Sequence, residues 1–176
     1  KTIREVIHFK DCIPDFIKFN SVQLNEFLIR LKNKSITGIN KEFKEVIIYK
    51  GVKFVFAQGG LHSVDKGRKV IPKEDEILSD FDCASMYPTW IINQKLFPQH
   101  LGIEWLNGYI WTRDKRIEAK NLFKTTKDTK YQAIQEAYKL ALNGGGYGKT
   151  GEPNSWQFDS LVTMHTTIGN QLCLLM

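Results

Sequence analysis

Apolar residues recur at helical spacing in three stretches of the chain and alternate at strand spacing in another. Leu24, Phe27, Leu28 and Leu31 fall at i, i+3, i+4 and i+7, which predicts an amphipathic helix over about 21–34, capped by Asn20 or Ser21. Phe43–Tyr49 and Val52–Phe56 flank Lys50-Gly51, the pattern of a β-hairpin, and Gly59-Gly60 ends it. A polar loop with Lys66, Arg68 and Lys69 leads to a short strand, Glu76–Phe81. Tyr87-Pro88 breaks the pattern, because the residue before a proline is pushed out of the α region. From about Arg113 to Asn143 the periodicity is helical, read as two helices separated near Thr125–Asp128. The second sets Tyr131, Ile134, Tyr138 and Leu142 on one face and Gln132, Gln135, Lys139 and Asn143 on the other. Gly144-Gly145-Gly146 ends it. After a strand or loop at Trp156–Phe158, Ser160 caps a last helix bearing Leu161, Met164, Ile168, Leu172 and Leu175. There is no internal repeat, and the fold class is α+β.

Composition narrows the classes. A length of 176 residues suits one domain or a piece of a larger one. At 42% apolar and 25% charged, disordered, collagen-like and disulfide-scaffold chains are excluded. No apolar run approaches the roughly 20 residues of a membrane helix, so no membrane partner is expected. Charges in Lys1–Glu5 leave no place for a signal peptide's apolar region. Cys12, Cys83 and Cys173 are odd in number and widely spaced, which fits reduced thiols in a cytoplasm-like compartment rather than a structural zinc site. The expected setting is the cytoplasm of a bacterial or phage-infected cell. The start at Lys1 and the end inside the apolar run Leu172–Met176 predict a fragment of a longer protein. A net charge of +6 admits a phosphate-bearing partner but does not by itself name one.

Three constellations could carry chemistry. Asn143–Thr150 ends like a phosphate-binding P-loop, but a long helix precedes its glycines and Glu152-Pro153-Asn154 follows them. A helix C-terminus would repel phosphate, so an ATPase is rejected. In Asp82–Pro88, a carboxylate at a strand end before a tight turn can offer one oxygen, with the Cys83 carbonyl beside it, to Mg²⁺. Ser85 can tie that turn together. The plain alternative is an aspartate making a local turn. Arg113, Arg116, Lys120 and Lys124 fall at i, i+3, i+7 and i+11, so one helix face is basic. Lys139 and Asn143 share the polar face of the following helix. Arg116, Lys120 and Lys139 could together grip a triphosphate, although such stripes are usually solvated faces.

In order and spacing these pieces resemble the family B DNA polymerases, especially those of phages and mobile elements. Asp82-Cys83-Ala84-Ser85-Met86-Tyr87-Pro88-Thr89 resembles the first palm motif, D-x-x-S-L-Y-P-S. Arg116–Lys120 resembles the R-x-x-x-K of the fingers, and Lys139–Asn143 followed by Tyr147-Gly148 resembles K-x-x-x-N-S-x-Y-G. Gly59-Gly60 stands where the family has Y-x-G-G. The resemblance spans about residues 54–176 and implies a partial palm, an antiparallel sheet with packed helices, carrying an inserted helical fingers hairpin. It divides the chain into a leading segment 1–50, palm 51–95, fingers 96–148 and a return to the palm over 149–176.

The resemblance also implies roles. Asp82 would be one of the two palm aspartates that hold the catalytic Mg²⁺ ions, with the Cys83 carbonyl beside it, and Tyr87 would exclude a 2′-hydroxyl. Arg116, Lys120, Lys139 and Asn143 would bind the deoxynucleoside triphosphate. Tyr147 would line the nascent base pair, and Gly59, Gly60 and His62 would approach the template of a DNA primer–template. The chain departs from the pattern in three places. Ala57 replaces the tyrosine of Y-x-G-G, Gly144-Gly145-Gly146 is one residue longer than S-x, and the D-T-D motif is missing. After Asn143 the only acidic residues are Glu152 and Asp159. The expectation is therefore a palm-and-fingers fragment of a DNA-directed DNA polymerase, inactive without the remainder of its parent chain. The alternative is a nucleic-acid-binding module of similar fold without chemistry.

Overall fold

The computed structural model describes residues 1–37, 43–58, 60–64, 67, 69–83 and 85–176. Strand β1 (Val6–His8) and a 3₁₀ turn (Phe9–Cys12) precede helix α1 (Val22–Lys32), where the Ser21 hydroxyl accepts from the Leu24 amide and Leu24, Phe27, Leu28 and Leu31 are buried. Strand β2 (Ser35–Thr37) returns antiparallel to β1. Strands β3 (Lys44–Tyr49) and β4 (Val52–Ala57) form the hairpin, turning at Lys50-Gly51, where both residues have positive φ. The chain does not leave the sheet there: β5 (Gly60–Ser63) adds a third antiparallel strand in the order β3-β4-β5. Lys66 and Arg68 of the expected polar loop lie outside the described residues.

Helices α2 (Met86–Asn93), α3 (Gly102–Thr126), α4 (Thr129–Leu140) and α5 (Ser160–Leu175) make up the second half. The described residues thus form an α+β fold of small antiparallel sheets and five helices. None of these helices is long and apolar enough to cross a membrane. One core gathers Phe9, Ile17, Phe27, Ile47 and Phe56 with Met164, Ile168 and Leu172 of α5. A smaller one joins Ile91, Leu106, Tyr109 and Leu142. The three cysteines are unpaired, and burial pushes the Cys12 thiol up to about 12.

Several expectations are corrected. Residues 76–81 form no strand; the stretch is exposed, with Ile77 at 91% and Phe81 at 89%, because no described strand lies beside it to complete a ladder. Tyr87-Pro88 does not break the chain but enters α2, since a proline in the first turn needs no amide partner. The first of the two central helices begins at Gly102, not near Arg113. The glycine run does not end the second: Ala141–Gly148 continues from α4 as a π-helix. The last helix is capped by Asp159, whose carboxylate accepts from the Leu161 amide, rather than by Ser160.

Helix α5 is buried almost all round; some of its polar side chains bond within the helix, Thr166 to the Val162 carbonyl and Asn170 to that of Thr166, while Thr163 bonds Thr150 and Ser160 Oγ is left buried without a partner. His165, at the α2–α5 contact, accepts from the Trp90 indole N–H at 3.1 Å, and burial holds its pKa below the ordinary value. The unfolded chain therefore binds a proton that the folded chain resists. Stability is full above about pH 6.5 and declines as the pH falls through that value towards the lowered one. Thermal melts between pH 7.5 and 5.5 are expected to show this decline, and His165→Phe to flatten it. A profile identical in the variant would remove His165 as its source.

Candidate nucleotide and nucleic-acid interface

Helix α3 places the basic stripe opposite the start of α2. Ser85 and Thr89 join Arg113, Arg116, Ile117, Lys120, Asn121 and Lys124 around a cleft of about 240 Å³. Arg116 donates from Nη1 to the Ser85 hydroxyl at 2.5 Å, so the R-x-x-x-K and D-x-x-S segments meet directly. Arg116 Nε is buried without a hydrogen-bond partner, an orphaned donor in a side chain that lines the cleft. Lys120 and Lys124 are exposed and have no ion-pair partner among the described residues, whereas Arg113 is engaged by Asp114. A larger groove of about 390 Å³, lined by Trp105, Tyr109, Trp111 and Gln157, contains Glu104 and no basic residue. Of the two, the smaller cleft alone is lined by basic side chains.

Ser85 caps α2 in the left-handed region, with φ +52° and ψ +43°, an uncommon conformation for a residue with a side chain. Its hydroxyl accepts from Arg116 in that conformation. The turn swings Tyr87 onto Tyr147, the rings parallel within 9° and 4.8 Å apart. Tyr147 shares a 2.6 Å hydrogen bond with Thr167 of α5, and burial raises its pKa despite that bond. Gly60 closes the corner: a Cβ there would stand 3.8 Å from the Tyr87 hydroxyl and 3.5 Å from His62 Nε2. Those are ordinary contact distances, and it is the φ of +127° at Gly60 that favours glycine there. Gly59 lies outside the described residues.

The π-helix explains how Tyr147 reaches this corner. Relative to the resemblance, the glycine run holds one extra residue, which in an α-helix would rotate Tyr147 by about 100°. The wider π turn takes up such an insertion. It also spends the glycine amides on helical bonding, which removes any phosphate-cradling loop, and Lys149 pairs with Glu152.

Not every expected residue joins the cleft. Lys139 is exposed, 3.9 Å from Glu136, and Asn143 is exposed within the π-helix; neither lines the cleft. Asp82 and Cys83 lie exposed in the irregular stretch before Ser85. No group of three His, Cys, Asp or Glu side chains gathers among the described residues. One carboxylate and one carbonyl do not by themselves fit a two-ion Mg²⁺ site. Sequence reasoning missed Thr89 as a wall of the cleft and Thr167 as the anchor of Tyr147. A hydroxyl inside the apolar run of α5 was the only available signal for the second. No protein-family model, curated protein or solved structure matches the chain.

Proposed function

We propose that the chain is the palm-and-fingers part of a family B-type DNA polymerase, which adds deoxynucleotides to a primer under the direction of a template. The observation that carries this reading is the meeting of the three sequence motifs at residues 85–89. Arg116 bonds Ser85, Tyr147 stacks on Tyr87, and Gly60 borders the same ring. Separate motifs placed at random on a helical surface would not converge. Arg116 and Lys120 bind the triphosphate, Tyr87 meets the sugar, and Asp82 supplies one carboxylate to a metal site whose other aspartates lie outside these 176 residues.

The test is primer extension with Mg²⁺ and all four deoxynucleotides. It compares this chain with a longer one that carries a strand–turn–strand bearing D-T-D. Only the longer chain is expected to extend primers, and Asp82→Ala in it to abolish extension. Lys120→Ala is expected to weaken binding of a fluorescent deoxynucleoside triphosphate about tenfold or more, since hydrogen bonds to charged groups contribute about 1.5–3 kcal/mol. The alternative is a nucleic-acid-binding module without chemistry. That reading gains if Asp82→Ala leaves DNA binding intact and no version extends a primer.

A further inference from the structure

We propose that the outward face of the β3-β4-β5 sheet is a track for the phosphate backbone of a nucleic-acid strand that leads to the Tyr87–Tyr147 corner. The proposal rests on the polymerase reading and adds a surface that none of its motifs names, since Lys44 and Lys53 belong to no motif.

Strand register sorts the sheet into two faces. The pairs Glu45↔Phe56, Ile47↔Phe54 and Phe56↔Leu61 point into the core, where Ile47 and Phe56 are fully covered. The pairs Lys44↔Ala57, Val46↔Val55, Ile48↔Lys53 and Val55↔His62 therefore share the opposite face. Among the described residues, that face carries two lysines and a histidine and no acidic side chain. The nearest carboxylate in sequence, Glu45, lies on the core-side face and is held by Lys34. Val46 is 41% and Ile48 59% exposed, so the described residues leave much of both side chains open.

Two features tie this face to the corner. Gln171 of α5 grips the Ala57 backbone on both sides, accepting from its amide at 3.1 Å and donating to its carbonyl at 2.8 Å. Ala57 pairs with Gly60, the residue that borders the Tyr87 ring. The lysines lie roughly 13 Å apart along the strand direction, taking four residues of β rise, a span that covers more than one phosphate. The outward pairs contain no Phe, Tyr or Trp, and the imidazole of His62 is the one ring they offer a base, so the contacts are mainly to the backbone and independent of base sequence.

The test measures binding of a labelled primer–template duplex by the 176-residue chain across salt concentrations. Lys44→Ala/Lys53→Ala, both at exposed positions, is expected to lower affinity about tenfold at low salt and to reduce the salt slope by about two, roughly 0.9 per lost phosphate contact. Lys10→Ala/Lys18→Ala removes the same charge from exposed sites outside the sheet and is expected to change neither. If the control falls as far as the sheet variant, bulk charge rather than this face binds DNA, and the proposal fails. If the duplex binds wild type and sheet variant with equal affinity and slope, the track fails while the polymerase reading stands. If wild type does not bind duplex at any salt, the track fails, and primer extension by the longer chain still decides the polymerase reading separately.

Discussion

Gly169→Ala is expected to destabilise the chain by about 2 kcal/mol, although it replaces glycine in mid-helix. In an open helix the change would gain about 1 kcal/mol from propensity. Here a Cβ at position 169 would stand 1.9 Å from Cζ2 and 2.4 Å from Cε2 of Trp90, about half to two-thirds of a normal carbon contact. The ring cannot swing aside cheaply. Trp90 is buried, and its indole N–H is committed to His165. Overpacking of this kind costs about 1–3 kcal/mol or more, and an overlap this deep belongs at the upper end. For a chain of this size the melting temperature should fall by about 4–8 °C. The diagnostic is the sign in a second background. With Trp90→Leu, which vacates the space, Gly169→Ala should become neutral or stabilising, as helix propensity alone predicts. A cost that persists unchanged in that background would mean that the ring is not the cause.

The same α2–α5 contact shows which parts of the fold were readable from sequence. Helix α1 and the β3–β4 hairpin follow from local signals alone, a serine cap, a four-residue apolar stripe and a Lys-Gly turn, and all three form where expected. Glu76–Phe81 has an equally strand-like composition, yet it needs a neighbouring strand that none of the described residues supplies. The glycine run failed for the opposite reason. Glycine is a helix terminator by propensity, but α4 leads into a packed corner where Leu142 is fully buried and Tyr109 donates to its carbonyl at 3.0 Å. Tertiary packing overrode a preference of a few kcal/mol. In the candidate site, Tyr87, Tyr147, Arg116 and Lys120 stood out because their types and spacing fit a motif. Thr89 and Thr167 did not, because a hydroxyl becomes significant only once a second element is brought opposite it. The Ser85 strain was likewise hidden, since nothing in D-x-x-S announces a positive φ.

Asp159→Ala is expected to be the most damaging single truncation of a polar residue, costing about 3 kcal/mol or more. Its carboxylate is fully buried and takes four donors: Arg4 Nε at 2.7 Å and Nη2 at 3.0 Å, the Gln99 amide at 3.1 Å and the Leu161 amide at 3.2 Å. It thus fastens the N-terminal segment and the α2–α3 connection to the start of α5, the helix whose Thr167 holds Tyr147 and whose Gln171 holds the sheet. Breaking a buried ion pair costs about 3–5 kcal/mol, and loss of a helix cap about 1. Arg4 is a quarter exposed, so after truncation its guanidinium can turn to water, which places the total nearer the lower figure. The bond to Asp159 raises the Arg4 pKa further, so the pair stays charged on the arginine side at any working pH. Asp159→Asn keeps an oxygen for the cap and should lose less. Arg4→Met leaves an uncompensated carboxylate in the interior and should be nearly as harmful as the alanine change. Arg4→Met with Asp159→Leu should cost clearly less than the two single losses added together. Strict additivity in that cycle, measured by urea unfolding, would show that the two side chains act separately and that the fastening lies in the backbone contacts around Asp159 instead.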